Sequence, residues 1–430
     1  MNILKYHKKI NPYILGFSTL NLGIFFLFSA PAIASFFLII SLFSSIFLFK
    51  KNPLKDNINL IFLLISFLMI LSCFVFKFNS QEFLIDNNSK FYTPPFISII
   101  NWIPLFFFYF GFQNYLKTKK DRFICSMSLI FGSIPILISG FGQYLFGWYG
   151  PLEFLNGLVI WYQREISIEM KGMTGLFNNP NYTACALATI CPFFYATFFK
   201  NKSLNLKKII SLLLIYSVII GILFTSSRNG LLALLLGTFI FLIPLKSKLL
   251  SFSFLSFISI FLLNFVSDYV FNLPLIPFKL VKKINFEVLS TDPRISIWKE
   301  SINYIIQKPF LGWGGNNFSS LWNSNNSMYL GHSHSVPIEI SIQYGLITSI
   351  LLSGTVLFIL IKSFRIIFLN LNFKIINFQK ENSFDIAWFS ASVVILFSNT
   401  VDILYFDIRI SVLSWLLIAG LRNISQEQIR

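Results

Sequence analysis

Apolar runs of about twenty residues recur along nearly the whole of this 430-residue chain. A run of that length is what one α-helix needs to cross a hydrocarbon core of about 30 Å. Twelve such spans are predicted, near 12–30, 32–49, 58–77, 95–116, 123–147, 180–199, 209–226, 229–245, 249–268, 337–361, 384–402 and 404–421, with Pro31 breaking the first pair. Only 12% of the residues are charged and 55% are hydrophobic, against about 25% charged in an ordinary soluble domain. That balance excludes a soluble globular protein. The length alone would suggest about three domains, but continuous hydrophobic runs favour one polytopic membrane domain.

The formal charge of +17, from 34 Lys and Arg against 17 Asp and Glu, raises nucleic-acid binding as a class. The position of the cations argues against it. They gather between apolar runs: Lys5, Lys8 and Lys9; Lys50, Lys51 and Lys55; Lys117, Lys119, Lys120 and Arg122; Lys200, Lys202, Lys207 and Lys208; Lys246 and Lys248; Lys362, Arg365, Lys374 and Lys380; Arg422 and Arg430. Every second loop is basic, as cytoplasmic loops are. This predicts an even number of spans with both termini inside, and no nucleic-acid partner. The basic start leads into a full-length span without a small-residue cleavage site, so no cleavable signal peptide is expected. Cys73, Cys125, Cys185 and Cys191 fall inside or beside apolar runs, which gives no disulfide framework.

Three segments interrupt the hairpins on the predicted outer side: 78–94, 148–179 and, much the longest, 269–336. Within the last, Asp292 suits an N-cap and Pro293 a first helical position. Ile295, Trp298, Ile302, Ile305 and Ile306 then recur at helical spacing. The pattern predicts an amphipathic helix on the bundle or the outer leaflet, ended at Lys308-Pro309.

The chain has three histidines. His7 belongs to a basic tail, while His332 and His334 sit together just before the tenth span. An imidazole titrates near neutrality, so a histidine at the mouth of a bundle suits a general base; a polar loop ending a helix is the equal alternative. Zinc is a weaker reading, because no third ligand is evident. Arg228 lies in Thr225-Ser226-Ser227-Arg228-Asn229-Gly230, a short outer turn where an arginine runs against the charge bias. With Arg294 it would make a diphosphate clamp, since a guanidinium fork matches a pair of phosphate oxygens. Gly312 and Gly314 in Leu311-Gly312-Trp313-Gly314-Gly315 could aim main-chain N–H groups at an anion, or simply turn the chain. Asn179 and Asn181 flank Pro180 at the start of the sixth span, where capping is the favoured reading. Asp402, Asp407 and Arg409 read as a turn-stabilising acid-base group, with a carboxylate metal site including Glu339 as the alternative. Trp148, Trp161, Tyr162 and Trp313 fit an interfacial aromatic belt or a sugar-stacking surface.

Taken together these blocks resemble the O-antigen ligase and O-antigen polymerase superfamily of bacterial envelope glycosyltransferases. The most specific match is His334-Ser335 followed, nine residues further on, by Gly345-Leu346-Ile347-Thr348, where the family has Gly-x-x-Gly and this chain ends in Thr348. Gly175-Leu176-Phe177-Asn178-Asn179-Pro180-Asn181, the Ser-Ser-Arg-Asn-Gly turn, the Arg-Ile-x-Ile-Trp helix and Pro309-Phe310-Leu311-Gly312-Trp313-Gly314 follow in the family's order. The resemblance covers about 170–350.

It implies an all-α, GT-C-like bundle of about twelve transmembrane helices in the bacterial inner membrane, with a periplasmic active site in the long loop. The stretches are 1–170 for the first five spans, 171–361 for the ligase-like core and 362–430 for the last two. The implied reaction moves a glycan from an undecaprenyl-diphosphate carrier to an acceptor hydroxyl, on lipid A core for a ligase or on another carrier-linked glycan for a polymerase. His334 would be the catalytic histidine and Arg228 and Arg294 the diphosphate contacts. Lys171 stands nearest to a further family arginine, and His332, Asn179, Asn181, Gly312 and Gly314 join it as substrate-binding candidates. Neither cofactor nor metal is required. A transporter linked to bicarbonate uptake is the competing class, and would favour charges at the bilayer midplane.

Overall fold

Helix starts follow the capping residues in the sequence. Thr118 and Asp121 form a reciprocal capping box at 3.1 and 3.2 Å, and Asn205, Ser227, Asp292 and Asp407 each accept a first-turn amide hydrogen bond. The computed structural model describes residues 11–49, 55–79, 95–166, 172–200, 205–244, 292–326, 329–369 and 382–427. Their helices are α1 Pro12–Phe26, α2 Pro31–Ile46, α3 Asn57–Asn79, α4 Ile103–Gln113, α5 Lys119–Phe146, α6 Pro180–Lys200, α7 Leu206–Phe224 and α8 Arg228–Leu242, then α9 Pro293–Gln307, α10 Phe318–Asn325, α11 Val336–Tyr344, α12 Leu346–Phe364, α13 Asn382–Val401 and α14 Ile408–Ile424.

Two helices form the centre. α6 and α13 pack on each other and both on α8, and they are 78% and 67% buried over their apolar windows, whereas α7 and α12 are 33% and 28% buried. The outer pair therefore turns most of its apolar surface outward, as helices facing lipid do. The buried core runs through all three stretches of the chain, from Leu20 through Leu187 to Ile424.

The ion pairs among the described residues fall in groups toward the helix ends. At one end Arg122, fully buried, meets Asp385 at 2.7 Å and Glu427 at 2.6 Å, and Arg422 meets Asp56 at 2.5 Å. At about 1.5 Å per residue, α13 carries the chain roughly 25 Å from Asp385 to Asp402, at the other end.

The described residues bear on part of the expected architecture. Seven described helices are long and apolar enough to cross a membrane, with Pro12–Phe26, Pro31–Ile46 and Arg228–Leu242 shorter. The predicted span 249–268 and most of the long loop lie outside the described residues. Residues 148–179 are not wholly irregular, because Leu152–Phe154 (β1) and Val159–Trp161 (β2) pair as an antiparallel hairpin with Leu152 opposite Trp161. The expected span 337–361 is broken at Gly345, whose φ is +87° and where a Cβ would run into the Phe310 carbonyl; the crossing of that strand of chain is what divides α11 from α12.

α9 begins at Asp292 and Pro293 as expected. Ile297, Ser301 and Tyr304 are its buried positions, packed into a small second core with Trp313, Phe318, Leu321, Trp322 and Ile342. Of the expected face, Trp298 and Ile305 pack against this core, while Ile295, Ile302 and Ile306 are more than half exposed.

Candidate functional site

Five segments end at the same corner of the bundle. Arg228 is the first residue of α8, behind the Ser227 cap. Asp292 caps α9 by accepting the Arg294 amide at 3.0 Å and with its other oxygen accepts from Arg228 Nη2 at 2.8 Å. One carboxylate thus holds the Arg228 guanidinium and the backbone of Arg294.

Asp402, just past α13, is the second such hub. Its Oδ1 lies 3.2 Å from His334 Nδ1 and accepts the Ile403 amide at 2.9 Å. Its Oδ2 accepts from Asn181 Nδ2 at 3.0 Å and lies 3.9 Å from Arg294 Nη2. Asn181 Oδ1 in turn accepts from Ser227 Oγ at 2.8 Å, which closes the ring back to Arg228. The side chains of His334, Arg228 and Arg294 are 26%, 26% and 25% exposed, while that of Asp402 is 6% exposed. The basic groups are thus reachable from outside, and the acid that organises them is shielded.

The histidine loop is held from below. His334 has φ +56°, a left-handed conformation that is uncommon for a residue with a side chain. Ser333, buried, gives its N–H to Glu339 Oε2 at 2.8 Å, and its carbonyl accepts from Trp298 Nε1 at 3.0 Å. Gln343 holds the other Glu339 oxygen at 2.6 Å. His332 stands beside His334 with ring centroids 4.3 Å apart. Burial, then the neighbouring His334 and Arg294, push the His332 imidazole down to about 4 against the opposing pull of Asp402, so it is neutral near pH 7. Burial would raise the Asp402 carboxyl, but the His334 hydrogen bond, the Arg294 charge and the Ile403 amide outweigh it and hold the group below its ordinary value.

Chemically, an aspartate on Nδ1–H leaves Nε2 as the basic nitrogen, the arrangement by which a buried acid orients a histidine in hydrolase triads. Among the described residues, His332, His334 and Asp402 are also the one trio of potential metal ligands whose atoms lie close together. An apolar cavity of about 240 Å³ is lined among others by Trp102, Val336, Pro337, Leu357, Thr400 and Tyr405; none of the cluster's own side chains lines it, though Val336 and Thr400 stand close to His334 and Asp402 in sequence.

Other expected site residues have local structural partners. Asn179 caps α6, accepting the Asn181 amide at 2.8 Å. Gly312 and Gly314 have φ of +68° and +81°, and a Cβ on either would strike the Ile342–Gln343 backbone or Phe76; close packing accounts for both. Trp313 is buried in the second core with Nε1 on the Tyr304 carbonyl at 2.9 Å, so it is not part of an aromatic belt. Asp407 and Arg409 pair at 2.5 Å as the turn-stabilising reading expects. Lys171 and His7 lie outside the described residues.

Asp402 and Asp292 are the positions in this cluster that sequence reasoning under-read, one as a turn acid and the other as a cap. The available signal was scarcity, since only 17 acids serve 34 cations.

A family model described as O-antigen ligase matches residues 210–353, a third of the chain that contains Arg228, Arg294, His334 and Gly345. No curated protein is matched.

Proposed function

We propose that this chain, a member of the O-antigen ligase and polymerase superfamily, transfers a glycan from an undecaprenyl-diphosphate carrier to an acceptor hydroxyl at the periplasmic face of the bacterial inner membrane. The observation that carries the reading is the shared anchoring of His334, Arg294 and Arg228 through Asp402 and Asp292. The three basic groups come from segments more than a hundred residues apart in sequence at the extremes, yet the two carboxylates tie them into one network.

His334 takes the proton of the acceptor hydroxyl on Nε2 while Asp402 accepts from Nδ1–H and supports the imidazolium that results. The hydroxyl oxygen then attacks the anomeric carbon as the bond to the diphosphate breaks. Arg228 and Arg294 meet the charge that grows on the leaving diphosphate. Asn181 keeps Asp402 turned towards both partners. The apolar cavity lined by Val336 and Thr400 suits part of an isoprenoid chain, whose burial stabilises at about 25 cal/mol per Å². The ends of the bundle hold its described ion pairs, an arrangement that favours surface chemistry over midplane transport.

The test is a host strain whose only copy carries His334→Ala. Envelope glycolipids resolved on a gel should show free core with unattached polymer for a ligase, and single-repeat caps for a polymerase. A wild-type ladder from a well-expressed variant would remove His334 as the base.

A further inference from the structure

A base and its orienting acid account for His334 and Asp402, but not for the second imidazole beside them. His332, His334 and Asp402 each offer one ligand atom, and the three atoms lie within 4.8 Å of one another. One edge already has coordination geometry. His334 Nδ1 and Asp402 Oδ1 are 3.2 Å apart, and two ligands each about 2.0–2.1 Å from a tetrahedral zinc ion stand about 3.3–3.4 Å from each other. The remaining atom has at most roughly 1.5 Å to close, within the reach of a small side-chain rotation.

The loop keeps the two rings side by side, with centroids 4.3 Å apart. Ser333 between them turns inward, fully buried, with its N–H on Glu339, while both histidines stay partly exposed. The sequence lacked a third ligand for this pair; the end of α13 supplies it, sixty-eight positions along from His334.

We propose that His332, His334 and Asp402 form a reversible site for a divalent transition-metal ion of the zinc type, and that its occupancy disarms His334. Two imidazoles and one carboxylate suit zinc and its neighbours, whereas calcium and magnesium need a larger set of oxygens. Three protein ligands leave a fourth position for water. The surroundings do not repel such an ion outright: Arg228 and Arg294 are matched by Asp292 and Asp402, so it enters a balanced patch. Arg294, at 3.9 Å from Asp402, is the group that must give way.

The effect on His334 is the same whichever ring nitrogen binds. An ion on Nε2 takes the lone pair that would accept the proton. An ion on Nδ1 leaves the ring's remaining proton on Nε2. This half of the proposal rests on His334 being the base; the binding itself does not.

The experiment uses the full chain in nanodiscs, stripped of metal and titrated with Zn²⁺ and Co²⁺. The expected result is one ion per chain by elemental analysis, visible Co²⁺ bands of imidazole coordination, and affinity weakened at least about tenfold in His332→Ala and in Asp402→Asn. Mg²⁺ should not compete. Because a variant can misfold, the wild-type protein supplies a second readout: Zn²⁺ should shield His332 and His334 from diethylpyrocarbonate, mapped by peptide mass. Sub-stoichiometric binding, unaltered affinity in both folded variants, or unshielded histidines would overturn the site. Zn²⁺ should also halt glycan transfer, with recovery on chelation. Stoichiometric binding at this trio without inhibition would keep the site and remove the disarming step, and with it the base.

Discussion

Replacing Asp402 by Asn removes one charge at constant size, and the contacts dictate how the amide must sit. Oδ1 accepts from the Ile403 amide at 2.9 Å and faces His334 Nδ1; Oδ2 accepts from Asn181 Nδ2 at 3.0 Å. An amide has only one acceptor atom. With that atom in the Oδ1 position, Ile403 and the histidine tautomer are kept, and Asn181 must flip against Ser227 to avoid two facing NH₂ groups. With it in the Oδ2 position, an NH₂ group faces the Ile403 N–H, which is fixed by the backbone. The first arrangement costs less, so what disappears is chiefly the carboxylate's support for the imidazolium. Unit charges 3.2 Å apart attract by about 5 kcal/mol at an effective dielectric of about 20. A quarter of the His334 side chain is open to solvent, and screening reduces that to about 3–4 kcal/mol. Asp402→Asn should therefore slow transfer roughly 10²–10³-fold. The assay is the initial rate of glycan transfer in liposomes holding lipid-linked donor and acceptor, with unfolding midpoints as the folding control. A folded variant that loses less than about fivefold would show that Asp402 does not serve His334.

Two further expectations concern the frame around the site. Asp385→Ala strips a fully buried Arg122 of its two-pronged partner at 2.7 and 3.1 Å, leaving Glu427, and should cost about 3–5 kcal/mol of stability; a denaturant titration in detergent showing under about 1 kcal/mol would mean that Glu427 alone suffices. Gly345→Ala forces a side chain onto φ +87° against the Phe310 carbonyl and should destabilise by about 1–3 kcal/mol, read as a lowered unfolding midpoint, with an unchanged midpoint counting against the break between α11 and α12.

Much of the bundle could be read from the chain alone because a membrane span must satisfy its own backbone hydrogen bonds, so local composition suffices. The break at Gly345 could not, since hydropathy does not register a second segment crossing the helix. The inward side of α9 was only partly legible. It is built from Ile297, Ser301 and Tyr304 against tryptophan rings, while Ile295, Ile302 and Ile306 point outward; beside a bilayer, outward is not the same as wet. At the site, Arg228 was legible as an arginine placed against the charge pattern, His334 as an imidazole at the mouth of the bundle, and Arg294 chiefly as a member of a resembling block. Asp402 was not, because Asp407 and Arg409 lie close by and do pair with each other, which made a purely local role sufficient for all three. Convergence of α6, α8, α9 and α13 is a property of packing, and no spacing in the chain records it.

The left-handed backbone at His334 has one more implication. That contortion is set by Ser333, Glu339 and Trp298, all of them parts of the folded frame. On the proposed function, an arriving acceptor would meet a rehearsed posture: the imidazole waits already cocked, and turnover need not stall while a slack loop searches for its pose.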